Sequence, residues 1–373
     1  MNSALTKLSA QGLASYTTRG GQSTAAVGID GFVDEIIRIV NKRSSATEYT
    51  QIERISDFAA RISAAAGQST NIELIVEHVK LGGNGPIMAN ALAALGVDVT
   101  CVGPLGSTAI HPAFAELATR TTVVSLGDPG HTDALEFEDG KLMLGKLQPL
   151  ENVTWENLIK KIGIGGSTKL LTQSNLVALQ NWTMIPAMND IWNKTLTLLD
   201  DAPPANRLFF FDLADPEKHA DDAVRDALKI LVKFQKHGST MLGLNEKEAF
   251  RVAQALGYKG QGYGREDVRS VGAHISSQLA IDTIVVHPRA FALCASAGKI
   301  TADVDGPFTD NPKISTGAGD HFNAGFCMGK LAGLPDDQAT TVGVGTSGYY
   351  VRNAASPSLA QLTEFLEQQA SAG

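Results

Sequence analysis

The sequence predicts an α/β protein: a three-layer, doubly wound, mostly parallel sheet with a small β flap over it. Three observations carry this expectation. Apolar strand-like runs alternate with helix-period segments along almost all 373 residues, the pattern of a sheet clothed by helices on both faces. Several runs are continuously apolar, Leu208-Phe209-Phe210-Phe211 above all, as parallel strands buried on both sides require. Segments at 72–81 and 134–147 break the alternation and read as extra β-structure, the second as a hairpin turning at Asp139-Gly140.

Residues 1–24 form an N-terminal extension, for which a short helix using Leu5, Leu8 and Leu13 is the plain reading. Strands are expected at 25–29, 97–102, 122–126, 176–180, 208–213, 240–244 and 283–287. Helices are expected at 52–65, 86–95, 112–118, 220–236, 246–256, 267–279 and 318–331. Flap segments at about 32–40, 72–81 and 134–147 are inserted in one unit spanning 1–373; no repeat or low-complexity linker divides the chain.

Lys plus Arg number 31 against 39 Asp plus Glu, a net charge of −8. Without a basic run, this balance argues against a nucleic-acid or anionic-membrane surface, though not against a small anionic ligand held locally. Cys101, Cys294 and Cys327 stand far apart, fit neither a disulfide nor a zinc spacing, and read as buried thiols of a reducing compartment. A cytoplasmic protein is expected. No acidic residue precedes Asp30, but Lys7 and Arg19 alone make a weak targeting segment. The histidines show no metal-binding spacing.

Four glycine patterns compete for a functional role. Gly140 to Leu147 matches half of a P-loop, but Leu147 lacks the hydroxyl that a metal needs and the interior alternates like a strand. Gly343-Val344-Gly345-Thr346-Ser347-Gly348 is formally GxGxxG, yet it lies inside a small-residue helical stretch, where close helix packing explains it better than a dinucleotide. In Thr316-Gly317-Ala318-Gly319-Asp320 a turn opens a helix whose first amides point outward, an anion site. Asp320 beside a bound anion suits a proton acceptor, although an acidic first turn is the commoner meaning of a Gly-Asp pair. Gly82-Gly83-Asn84-Gly85-Pro86 leads into another helix, and Asn84 offers donor and acceptor together to a polyhydroxyl ligand.

The last two motifs together resemble the signatures of the ribokinase-like, PfkB-type carbohydrate kinases. Asn245-Glu246-Lys247-Glu248 is similar to that family's Asn-x-x-Glu, and Gly28-Ile29-Asp30-Gly31-Phe32-Val33-Asp34 to its first strand. The likeness runs from about 25 to 352, nearly the whole chain. It implies an ATP-dependent phosphotransferase acting on a hydroxyl of a small sugar-like acceptor. Asp320 would be the base, and Gly317, Ala318 and Gly319, with Thr316, the anion hole for the ATP phosphates. Asn245 and Glu248 would organise Mg²⁺ through water, and Asp30, Asp34, Gly82, Gly83 and Asn84 would hold the acceptor. A nucleoside kinase of the same fold, a non-catalytic sugar- or nucleotide-binding regulator, and a homodimer paired through the flap all stay open.

Three positions depart from the family pattern. Ile314 replaces an Asp that helps form a monovalent-cation site, so that activation loses its usual support. Ile87 replaces an Asn of the acceptor motif, and His287-Pro288-Arg289 stands where Thr-x-Gly is usual. Arg289 could then meet a nucleotide phosphate, or be a solvated loop residue.

Overall fold

The computed structural model describes residues 1–203, 206–260, 262 and 264–372. In its first part the chain runs α1 (Ser3–Thr18), β1 (Thr24–Gly28), β2 (Phe32–Arg43), β3 (Tyr49–Gln51), α2 (Ile55–Ala64), β4 (Leu74–Gly82), α3 (Asn84–Ala94), β5 (Asp98–Gly103), α4 (Ala115–Arg120), β6 (Thr122–Ser125), β7 (Gly130–Phe137) and β8 (Gly140–Lys146). There follow α5 (Trp155–Gln173), β9 (Leu176–Gln180), α6 (Met188–Asp200), β10 (Leu208–Asp212), α7 (Asp221–Lys233), β11 (Ser239–Leu244), α8 (Glu246–Ala255), α9 (Arg265–Gln278), β12 (Thr283–Val286), β13 (Phe291–Ser296), β14 (Lys299–Asp305), α10 (Ala318–Leu331), α11 (Asp336–Asn353) and α12 (Leu359–Ala372).

Nine strands form the main sheet in the order β14-β13-β12-β11-β10-β9-β1-β5-β6. From β6 to β12 every pair is parallel; β13 and β14 close one edge antiparallel. The apolar run of β10 shows why the sheet lies between helices. Phe209 and Phe211 face one layer, with ring contacts to Phe234 and Trp192 at 5.1 Å each. Phe210 faces the other, 6.4 Å from Phe326 of α10. All three are fully buried, worth about 2–3 kcal/mol each by transfer.

A second sheet is built on β2, which pairs antiparallel with β4 (Phe32↔Gly82) and parallel with β7 (Phe32↔Gly130). The β7–β8 hairpin turns at Asp139-Gly140, as expected. Alternation places Asp34 and Thr132 on the face toward the main sheet's carboxyl edge. On the opposite face, α2 seats Phe58 on Ile37, Ile39, Leu135 and Phe137.

The structure corrects several expectations. The β13–β14 hairpin was not expected: its run of Ala, Leu and Cys carries little strand preference, and only the edge of the sheet decides it. Helices α5 and α6 were likewise missed, α5 because Gly163, Gly165 and Gly166 mask its period; Gly163 kinks it at φ 70°. The helix expected at 112–118 is a 3₁₀ turn followed by α4. Leu13 is buried in α1, but Leu8 is half exposed. The formal GxGxxG sits in mid-α11 with no strand before it. A Cβ on Gly345 would meet Leu366 at 2.6 Å and one on Gly343 would meet Phe322 at 2.8 Å, so these glycines serve packing, not a dinucleotide. All three cysteines are free and buried. Among the described residues no helix is long and apolar enough to cross a membrane.

Candidate active site

The site forms where the carboxyl ends of the parallel strands meet the flap, as doubly wound sheets favour. Asp30, just past β1, is fully buried, and its carboxylate accepts bonds from the Asn84 amide (2.9 Å), the Gly85 amide (2.7 Å) and Asn181 Nδ2 (2.8 Å). Two of these donors are the first amides of α3, where a carboxylate also meets the positive end of the helix dipole. Asp30 is therefore the anchor of the Gly-Gly-Asn loop, with its oxygens turned to protein donors. Gly83 needs its φ of +91°, and a Cβ there would approach Asp30 Oδ2 to 3.0 Å. Gly82 is required for another reason: a Cβ would fall 2.4 Å from Asp34 Oδ1. Burial pushes the Asp34 carboxyl up, against a hydrogen bond from Thr132 and the charges of Lys80, His131 and Lys141.

The loop anchored by Asp30 presents Asn84 to the other motif. Asn84 Nδ2 donates to Asp320 Oδ1 at 2.9 Å, joining residues 236 positions apart. Asp320 lies in the first turn of α10, after Gly317 at φ +88°. One turn before the Gly319 and Asp320 amides, the Ser315 carbonyl accepts from the Ala318 amide at 3.2 Å and the Thr316 carbonyl from the Tyr350 hydroxyl at 2.9 Å, so the first amides of α10 stand at an open helix end. This turn is braced from behind by residues that sequence reasoning missed. His321 Nδ1 donates to the Gly317 carbonyl (2.7 Å), which leaves Nε2 to accept from Ser356 Oγ (2.8 Å). Its ring stacks on Tyr350, centroids 3.5 Å apart. Burial holds His321 down at about 4, so it stays neutral. Ile87, the departure in the acceptor motif, packs against Gly317: a Cβ there would meet Ile87 Cγ2 at 3.4 Å.

All five buried acids among the described residues, Asp30, Asp34, Asp212, Glu248 and Asp320, gather around this point. Burial pushes Asp320 well above the ordinary carboxylate range, helped by the charges of Asp212, Asp30 and Glu248 and opposed by Asn84. Asp212, at the end of β10, accepts from Asn323 Nδ2 (2.8 Å) and the Ala214 amide (2.9 Å). It too was missed; its only signal was an acid closing an apolar strand. Asn245 and Glu248 form a reciprocal capping box at the start of α8, each bond 2.9 Å. Glu248 also accepts from the Asp215 amide at 2.9 Å. Each oxygen keeps a lone pair, so the pair fits a cation reached through water, and the excess of buried acids favours a divalent one.

Beside Gly319 opens a cleft of about 360 Å³ lined by Asn245, His287, Arg289, Phe308, Val344 and Ser347, among others. The His287 ring lies tilted by 30° against Phe322, centroids 4.7 Å apart, and burial holds it neutral, at about 4. Arg289 thus faces the cleft. Opposite, flap residue Lys141 donates to Glu136 Oε1 (2.7 Å) and Thr316 Oγ1 (3.1 Å). On the flap's other face His131 lies 2.9 Å from Asp133 and 3.4 Å from Glu35, where Lys146, 2.8 Å from Asp133, already supplies the positive charge.

The sequence matches the family model of prokaryotic ketohexokinases over residues 13–369, and the chain belongs to that family. It is 29% identical over 345 residues to a ketohexokinase of Haloferax volcanii, covering 91% of this chain and 89% of that one. Its fold is that of a ribokinase from Cryptococcus neoformans in complex with ADP (TM-score 0.64, 18% identity, 92% of this chain and 98% of that one). The same holds for an Arabidopsis thaliana ribokinase complexed with ribose and ATP (0.64, 15%, 93% and 99%) and an adenosine kinase from Sinorhizobium meliloti (0.61, 14%, 93% and 99%). The protein is a carbohydrate kinase of ribokinase-like fold, which sets aside the non-catalytic regulator.

Proposed function

We propose that this kinase transfers the γ-phosphoryl group of ATP to a hydroxyl of a ketohexose. The acceptor class is that of the Haloferax relative; the observation that carries the chemistry is the Asn84–Asp320 hydrogen bond. It sets the acceptor loop and the base in one site before any substrate arrives, and phosphoryl transfer needs mainly such positioning. The acceptor rests on Asp34, Gly82, Gly83 and Asn84. Asp320 takes the hydroxyl proton as that oxygen bonds to the γ-phosphorus, and the bond to the bridging oxygen of ADP breaks. Thr316 and the amides of Gly317, Ala318 and Gly319 receive the transferring charge. Asn245 and Glu248 would hold Mg²⁺ through water, and the bound ion would supply charge neutralisation on the phosphates. Asp30 acts through the loop it anchors, and the base of the nucleotide fills the cleft beside Val344 and Phe308. The chain works as one kinase unit, the flap covering the acceptor.

A coupled ADP-release assay over ketohexoses, aldoses, pentoses and nucleosides, with Asp320→Asn in parallel, tests this. Ketohexose-dependent turnover that falls at least about a hundredfold in the variant is expected. Turnover on nucleosides alone would move the acceptor to that class, and near-parent turnover of Asp320→Asn would remove the base assignment. The half-exposed Leu74, Val76, Val79, Met143 and Leu144 of the flap support pairing of two copies there. Light scattering should then give a dimer that Val76→Glu with Val79→Glu converts to monomer.

A further inference from the structure

Behind the anion hole the family pattern has an acid that helps form a monovalent-cation site, and that position here is Ile314. Such an ion is held by oxygen lone pairs, chiefly those of carbonyls and carboxylates. The turn at this place offers three carbonyls, and each is met by a donor of the protein itself. Ser315 accepts from the Ala318 amide at 3.2 Å and Thr316 from the Tyr350 hydroxyl at 2.9 Å. Gly317 accepts twice, from His321 Nδ1 at 2.7 Å and from the His321 amide at 3.1 Å. The Ser356 hydroxyl is turned to His321 Nε2 at 2.8 Å. These hydrogens present their positive ends where an ion would need lone pairs, and Ile314 supplies no carboxylate. The space is also filled: His321 is 3% exposed and lies on Tyr350 with the rings within 14° of parallel. The residues present do not fit the cation.

We propose that His321, with Tyr350 and Ser356, takes the place of a monovalent cation behind the anion hole, so that this kinase works without potassium or sodium. His321 is a positioning residue and touches neither nucleotide nor acceptor. Ser356 holds one ring nitrogen, Tyr350 keeps the ring from turning, and the other nitrogen holds the Gly317 carbonyl. Because the Gly317–Ala318 peptide is planar, fixing its oxygen fixes the direction in which the chain enters α10 and aims its first amides. A cation would align the turn by attracting its carbonyls and would add a charge. The neutral imidazole aligns it by hydrogen bonds alone. Ser356 lies beyond α11, so the turn is tied to the last part of the chain and not to an ion in exchange with solvent. The inference rests on the phosphoryl-transfer reading above.

The parent, His321→Ala, His321→Asn and Tyr350→Phe are compared in potassium, sodium and tetramethylammonium chloride at one ionic strength. Turnover, melting temperature and calorimetric affinity for ADP and for ADP·aluminium fluoride are read, all with Mg²⁺ and ketohexose. Parent turnover and affinities should agree within about twofold in the three salts, since equal ionic strength screens alike. In His321→Ala kcat should fall about thirtyfold, and affinity for the fluoride complex in step, while ADP affinity and acceptor KM stay within about threefold. His321→Asn, whose amide can still donate to the Gly317 carbonyl, should recover most of both. Tyr350→Phe keeps the stacked ring, loses one donor and should lose about fivefold in kcat. A parent that needs potassium for most of its turnover overturns the inference alone. So does His321→Ala if it melts lower yet turns over within about threefold of the parent, because the brace then serves only stability. If His321→Ala does not fold, potassium-free turnover of the parent together with the loss in Tyr350→Phe supports the inference, and failure of either overturns it. A parent inactive on every acceptor in every salt removes the phosphoryl-transfer reading and this inference together.

Discussion

The two walls of the site are built on opposite principles. The floor, from β1, the start of α3 and the start of α10, is buried and fully cross-linked: Asp30 holds three donors, Asn84 holds Asp320, and His321 with Tyr350 and Ser356 braces the turn from behind. The flap has a buried core of six side chains, an edge strand that is largely exposed, and lysines held by one or two partners. Charge placement differs as well. Asp30 and Asp320 are buried in the floor at a cost in desolvation, while the flap, Asp34 apart, keeps acids and lysines paired near solvent. The contrast separates a densely cross-linked half from a thinly packed one that opens locally at lower cost.

The sharpest way to break this contrast is to unlock the floor. Asp30→Ala strands three buried donors and should cost about 3 kcal/mol or more, seen as a lowered melting temperature, with kcat/KM falling at the same time. If Asp30→Ala melted like the parent, the floor would not be the rigid half.

Acid should attack the same wall. His287 and His321 are held neutral at about 4, whereas in the unfolded chain they titrate near 6.5. Below pH 6.5 the unfolded chain therefore binds protons that the native protein refuses. Stability is lost progressively down to about pH 4, by about 3 kcal/mol for each histidine. Melting temperatures followed from pH 7 to 4 should show this, and His321→Gln should flatten the slope. The pH profile of kcat/KM carries a second mark: Asp320, pushed above the ordinary carboxylate range, sets an acid limb higher than a solvated aspartate would.

A smaller effect should come from the flap. Phe58→Ala removes the centre of its core, next to Phe137 at 5.7 Å. The acceptor KM should rise roughly tenfold while the main melting transition moves by only a few degrees. A global loss of stability instead would mean that flap and floor fold as one.

Much of this was legible from local chemistry. Strand β9 and helix α10 fall at the residues expected, because a continuous apolar run and a glycine-opened helix are local signals. The pairing of Gly-Gly-Asn with Gly-Ala-Gly-Asp was legible as a resemblance, as was the Asn-x-x-Glu turn. The β13–β14 hairpin was not, since its small apolar residues suit strand and helix alike until a sheet edge is offered.

The sequence by itself determined the layered fold, the two glycine turns and the place of Asp320 in the first turn of its helix, because each depends on neighbours within a few positions. Only the tertiary structure decided what those turns do to one another. Asp30 became an anchor because α3 aims its first amides at it, Tyr350 a brace because α11 packs along α10, and Lys141 a partner of Thr316 because the hairpin folds over the sheet edge. Such contacts join residues scores or hundreds of positions apart. No local preference encodes them; they arise when burial of the apolar faces leaves one arrangement in which the polar groups between them are satisfied.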